Sequence, residues 1–286
     1  MSVFAPTYIL CPVELDFTGP AVLKWASLFA EKYGAQVRIL HSYWMEWPRY
    51  FTSAQEKEFV GQTEQRIAAI SSDIRRMVDG ALHPNVSRDI AVLEAPTVQA
   101  VFEEMSRTLP DLIVMGSHGR SGLKRARLGS VAETVLYESK APVFVVKDAG
   151  NDSLSPQIRR ILAPVNFTAL DRESTELAES LASAFNARLY LLHAQERADE
   201  DLAPVRQRLC QWVSGDTRSN CDVVEVVRKG NAAEEILLHA DEEDVDLIVM
   251  GAEHKPFLEI TTLGTTSERV IRHSSKPVLV LPWRKR

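Results

Sequence analysis

The chain of 286 residues has no run of about 18 uncharged apolar residues, which excludes a helical membrane span. It has three cysteines, Cys11, Cys210 and Cys221; they lack metal-site spacing and cannot all pair, so idle thiols in a reducing cytoplasm are expected. No Gly-Lys-Ser/Thr occurs, so there is no Walker loop, and no dinucleotide fingerprint follows the first apolar run. No acid–base pair, Ser/His/Asp order or metal cluster marks a catalytic centre. The opening MSVFAPTYILCPV has no basic cluster ahead of its apolar stretch, so a secretory signal is not expected. Net charge is −6, and residues 1–147 balance 16 Lys+Arg against 16 Asp+Glu, leaving the acidic excess to the remainder. No broad basic face emerges, and a nucleic-acid partner is not expected.

What is present repeats. ILCPV (Ile9–Val13) returns as ILAPV (Ile161–Val165), and RILHS (Arg38–Ser42) returns as YLLHA (Tyr190–Ala194), both offset by 152. DLIVMG at Asp111–Gly116 returns at Asp246–Gly251, and SKAPVFVV (Ser139–Val146) returns as SSKPVLVL (Ser274–Leu281), both offset by 135. The second copy is therefore 17 residues shorter, all lost after its second strand. There the first copy holds the aromatic stretch Tyr43–Phe51, expected as a lid of mutually buried rings, and a long helix.

Short apolar runs alternate with amphipathic ones, the pattern of a parallel sheet covered on both faces. Strands are expected at Tyr8–Pro12, Gln36–Ser42, Val86–Val92, Leu112–Gly116 and Val143–Val146, with helices near Gly19–Tyr33, Ser53–Asp79, Thr97–Thr108 and Ser130–Ser139. The second copy has expected strands at Arg160–Pro164, Arg188–His193, Cys221–Val227, Leu247–Gly251 and Val278–Leu281. This divides the chain into domains 1–147 and 160–286 around a polar linker, 148–159. The fold class is α/β: two tandem doubly wound, Rossmann-like parallel-sheet domains.

The chemistry concentrates after the fourth strand, in GSHGRSGLKRARLGS (Gly116–Ser130), with the skeleton Gly-x2-Gly-x9-Gly-Ser and then a helix-forming run. Glycines permit positive φ and close approach of the backbone, so successive amides can converge on an anion. A helix opening at Gly129-Ser130 adds free amides and a positive dipole end, with Ser130 expected as the N-cap. The loop lies at the carboxyl end of a parallel strand, where ligands bind in open α/β sheets.

Strand order, loop position and this skeleton resemble the universal stress protein family, in its ATP-binding branch, as two family domains in tandem over nearly the whole chain. The resemblance implies ATP, with or without Mg2+, in the first domain. It implies a site of Pro12, Val13 and Asp16 after the first strand, the backbone near His41 and Ser42 after the second, and Met115, Gly116, His118, Gly119, Arg120, Gly129, Ser130 and Val131 around the loop. Asp16 fits the Asp-Phe-Thr context, whereas Glu14 fits the family's residue count after Pro12; both remain candidates for the adenosine carboxylate. His41 and His193 end equivalent strands, where packing or strand-end hydrogen bonding is the expected role. The resemblance also implies that the last strands of the halves meet as an internal pseudo-dimer, leaving room for a homodimer.

In the second copy the loop reads GAEHKPFLEITTLGT, with His254 in place of the middle glycine. Asn166 replaces the carboxylate, and Lys255 alone stands against Arg120, Lys124, Arg125 and Arg127 of the first. That domain is expected to bind nucleotide weakly or not at all. The function that follows is a cytoplasmic, ATP-dependent stress-response sensor with an unidentified protein partner. Open alternatives are a slow ATPase or nucleotidyl transferase, and a scaffold whose second domain takes another ligand or a protein.

Overall fold

The computed structural model describes residues 4–44, 53–117, 128–147, 155–196, 202–252 and 265–282. The first half runs β1 (Tyr8–Pro12), α1 (Gly19–Tyr33), β2 (Gln36–Tyr43), α2 (Ser53–Ala81), β3 (Arg88–Glu94), α3 (Thr97–Thr108), β4 (Leu112–Gly116), α4 (Ser130–Glu138) and β5 (Val143–Val146). The second runs β6 (Arg160–Pro164), α5 (Ala169–Phe185), β7 (Arg188–Gln195), α6 (Leu202–Cys210), α7 (Gly215–Asn220), β8 (Val223–Lys229), α8 (Ala232–Glu242), β9 (Leu247–Ala252), α9 (Thr265–His273) and β10 (Val278–Pro282).

The strands form one ten-stranded sheet, ordered β3-β2-β1-β4-β5-β10-β9-β6-β7-β8. Pairing is parallel inside each half and antiparallel at the β5–β10 seam, where Val145 faces Val278 and Phe144 faces Leu279. The expected internal pairing of the last strands is therefore present. Alternation along each strand sends Ile9, Cys11, Val37 and Ile39 to the face covered by α1, α2 and α5, and Leu10, Leu40, Ile113 and Met115 to the other. Full burial of one such aliphatic side chain stabilises by about 1.5–3 kcal/mol, and most of these strand positions are fully buried. An aromatic chain, Trp25–Phe144–Phe29–Phe185, crosses from α1 to α5 and adds side-chain packing to the seam.

The repeated residues hold equivalent joints. Asp111 accepts from the amides of Thr7 and Tyr8 at 2.8 and 3.0 Å, tying the start of β4 to the start of β1. Asp246 accepts from Arg159 and Arg160 at 2.7 and 2.9 Å in the same way. Ser139 and Ser274 each close the turn into the final strand through the residue two positions on. α1 stops at Gly34, whose left-handed backbone (φ 70) lets its amide reach the Ala30 carbonyl.

β3 and β8 begin two residues later than the apolar pattern predicts. Val86 is apolar because it is buried in the turn before β3, its amide bonded to the His83 carbonyl. Cys221 is likewise the residue that ends α7. α4 stops at Glu138, with Ser139 extended. At the end of the expected linker, Ile158 is buried in the core, so the chain is anchored before β6.

One joint differs between the halves. In the first, Arg38 on β2 and Arg107 on α3 both donate to the buried Glu104, at 2.8 and 2.5 Å. Burial alone would raise the Glu104 carboxyl, but the two guanidinium bonds outweigh it and hold it below its ordinary value. The equivalent positions of the second half are Tyr190 and His239, rings packed edge to face at 5.2 Å. Arg228 donates to His239 Nδ1 at 3.1 Å, which leaves the proton on Nε2, a buried atom without a partner among the described residues.

Burial, and then the Arg228 charge, lower the His239 pKa, against the opposing pull of Glu243 and Glu242. The unfolded chain protonates this histidine near the ordinary value of about 6.5, while the folded chain resists. The resulting stability is complete above that pH and is lost as pH falls through the lowered folded value. Urea unfolding at pH 7.5 and 5.5 should show a loss of stability on acidification that is smaller in a His239→Gln variant than in the wild type. An equal loss in both would remove His239 from the pH response.

Candidate functional site

In the first half the strand order reverses between β1 and β4, and a crevice opens at the carboxyl ends of such strands. A cavity of about 520 Å3 lies there, within the roughly 300–1,000 Å3 usual for small-molecule sites. Its floor is Pro12 and Val13 from β1 and the loop after it, His41 and Ser42 from β2, and Met115 and Gly116 from β4. The structure thus brings together the strand-end residues that the sequence singled out. His41 holds its ring by bonding Nδ1 to the Val13 carbonyl at 2.9 Å, and His193 repeats this with Val165 at 2.8 Å. The strand-end hydrogen bond expected of both is present, and His41 also faces the cavity.

α4 forms another wall, through Gly129, Ser130, Val131 and Ala132. The N-cap is Gly129, not Ser130: its backbone is extended (φ −66, ψ 145), and Ser130 is already the first helical residue. Glycine has no side chain to satisfy the first-turn amides, and α4 has no side-chain cap hydrogen bond. Those amides and the positive helix end therefore border the cavity. By contrast, Thr168 at the head of α5 forms a full capping box with Asp171. The Gly129 amide donates to the Ser117 carbonyl at 2.8 Å, and the buried Ser117 donates its own amide to Val146, pinning both ends of the glycine loop to the sheet. Neither Gly116 nor Gly129 uses the positive φ that glycine permits, and both line the cavity wall; the middle glycine, Gly119, lies outside the described residues. His118, Gly119 and Arg120 lie outside the described residues, as do Lys124, Arg125 and Arg127.

The two carboxylate candidates separate. Glu14 lines the cavity, whereas Asp16 does not. Asp16 Oδ1 accepts from the Thr18 amide at 2.9 Å and hydroxyl at 2.7 Å, shaping the entry to α1, while Oδ2 is buried without a partner among the described residues.

The sequence pattern missed the α2 wall. Thr63, Arg66, Ile67 and Ile70 line the cavity at spacings of three and four, on the same stripe that continues to the fully buried Ile74 and Val78. The signal was the helical period itself, running past the end of the core. Arg66 is the one Lys or Arg among the described lining residues. Trp44 lies at the rim, 60% exposed, so it is not buried by other rings as the lid reading expects; residues 45–52 lie outside the described residues.

In the second half the matching region is packed with side chains. The β6–α5 loop is two residues shorter, PVNFT against PVELDFT, and it turns Phe167 inward through a left-handed backbone (φ 62) that costs an aromatic residue about 1 kcal/mol or more. The Phe167 ring packs on His193 at 5.0 Å and against Trp212 at 5.3 Å, and the Arg208 guanidinium covers it at 4.1 Å. Phe17, its counterpart, is 70% exposed. At the end of β9, Leu170 sits so close to Gly251 that a Cβ there would meet its Cγ at 2.5 Å. The second-half loop, residues 253–264, lies outside the described residues.

Such a molecule is a tandem doubly wound α/β protein with an open crevice at the switch point of its first half and a filled one in its second. The chain belongs to the universal stress protein family, whose model matches residues 7–147 and 214–282. A universal stress protein of Mycobacterium tuberculosis is 24% identical over 289 residues, covering 92% of this chain and 96% of its own. In fold the chain is similar to a universal stress protein of Archaeoglobus fulgidus, with a TM-score of 0.72 at 21% identity over 96% of this chain and 98% of that one. It is also similar to a protein described as a universal stress protein from Pseudomonas aeruginosa, with a TM-score of 0.64 at 20% identity, covering 99% and 95%.

Phe167→Ala should cost about 2 kcal/mol in urea unfolding, below the fully buried range of about 3–5 kcal/mol because the ring is only partly enclosed. A change within about 0.5 kcal/mol, the usual effect of a surface substitution, would mean the ring does not hold this region together.

Proposed function

We propose that the first half binds one ATP and that the protein works as a nucleotide-dependent stress-response regulator. The observation that carries this is the uncapped amino end of α4 bordering a cavity whose far side is built from the ends of β1 and β2. The first-turn amides, with Gly116 and the glycine loop, suit phosphate oxygens. The space beside Val13, His41 and Ser42 suits the adenosine moiety. Glu14 is the carboxylate placed to accept from a ribose hydroxyl or the adenine amine, and Asp16 supports the loop that presents it. His118, Gly119 and Arg120 complete the phosphate end in this reading, with Mg2+ as an optional companion of the phosphates. The division at 1–147 and 160–286 follows the same reading, with one working site per chain.

Calorimetric titration of the full chain should give one ATP per chain, and phosphate release should stay at background through many binding half-lives. Two ATP per chain would show that the second half is not closed, and sustained turnover would favour the ATPase alternative. Glu14→Gln should weaken ATP about tenfold or more, the scale of one charge-assisted hydrogen bond, while Asp16→Asn should act less on affinity and more on stability. The reverse ranking would return the adenosine carboxylate to Asp16.

A further inference from the structure

The filled second half shows what the open first half accepts. In the second half the Phe167 ring links two other planar groups as the middle member of three: the His193 imidazole, tilted 36° at 5.0 Å, and the Arg208 guanidinium, over the ring at 4.1 Å. In the first half the outer members have counterparts. His41 is held by the same Nδ1 bond to the carbonyl after the first strand, and Arg66 reaches the cavity from α2, the helix in the same place in the chain order. The middle member is missing, because the longer β1–α1 loop carries Phe17 out to solvent and leaves the space as cavity. Arg66 makes no ion pair or hydrogen bond among the described residues that would hold its guanidinium elsewhere.

We infer that the planar base of the ligand takes the place that Phe167 fills in the second half, lying between the His41 imidazole and the Arg66 guanidinium. This rests on the proposed nucleotide site and names the contact that recognises its base. A guanidinium is planar, weakly hydrated and stacks on aromatic faces, whereas an ammonium offers a point charge without a face. A neutral aromatic ring is the internal stand-in, so the recognised group is a heteroaromatic base and not a phosphate. Arg66 therefore sets base affinity, separately from the phosphate contacts of α4.

The test compares wild type with Arg66→Lys and Arg66→Met, titrating adenosine, ATP and inorganic tripolyphosphate into each full chain. Arg66 is exposed, so thermal unfolding should match across the three proteins. Both variants should weaken adenosine and ATP by the same factor, about five- to tenfold, the scale of one cation–aromatic stack, and leave tripolyphosphate unchanged. Lysine rescuing ATP affinity, or a loss confined to ATP and tripolyphosphate, would make Arg66 a phosphate contact and overturn the inference. Unchanged affinities in a wild-type background that binds ATP would overturn the inference alone. A wild type that binds neither adenosine nor ATP would overturn the proposed function and this inference with it.

Discussion

The antiparallel seam between β5 and β10 is the constraint from which the rest of the architecture follows. Three residue pairs join there, backed by the aromatic chain from Trp25 to Phe185 and by Lys147, whose ammonium donates to the Ile271 carbonyl of the opposite half. Each half alone would expose its last strand as an unpaired edge, a template for association. Among the described strands, joining them leaves β3 and β8 as edges, and β3 opens with the exposed charged residues Arg88 and Asp89. Because the seam is antiparallel, the carboxyl ends of the two sets of parallel strands point to opposite edges of the sheet. The open crevice and its filled twin are thus separated by the whole sheet, and each could change without deforming the other.

Most of the framework was legible in the sequence because the repeat ties residues to joints. Asp111 and Asp246 open the DLIVMG strands for the same reason, to receive two amides from the preceding first strand, and the offsets 152 and 135 place those amides correctly. The strand ends that floor the cavity were legible too, since chain order and the position of the glycine loop put them at the switch point. Errors fell where an apolar residue serves a turn, as Val86 does, and where capping depends on backbone angles, as at Gly129. Neither signal is carried by residue type alone.

The α2 wall and the Phe167 stack were not legible, and the reason is physical. Thr63, Arg66, Ile67 and Ile70 share the period of an ordinary core-facing stripe, and only their place across from the strand ends makes the stripe a cavity wall. The inward turn of Phe167 depends on a left-handed backbone and on partners from β7, α6 and the segment after it, residues separated from it by up to 45 positions. The Asp-Phe-Thr and Asn-Phe-Thr stretches look nearly interchangeable in the sequence; in space one ring is in solvent and the other in a stack.

That difference explains how one scaffold comes to hold two unlike crevices. A β1–α1 loop two residues longer lets Glu14 face the cavity and Phe17 leave it, and Asp16 braces the longer path by accepting from Thr18. The shorter β6–α5 loop has no such slack; Thr168 and Asp171 lock it in a capping box, and the only apolar residue between Val165 and the helix folds onto the sheet. Filling costs a left-handed aromatic backbone but gains packing on His193, Trp212 and Arg208, a balance that needs no ligand. Opening leaves a crevice bordered by the uncapped amino end of α4, the Glu14 carboxylate and the Arg66 guanidinium. The length of the loop after the first strand of each half therefore decides whether its phenylalanine packs onto the sheet, as Phe167 does, or stands in solvent, as Phe17 does.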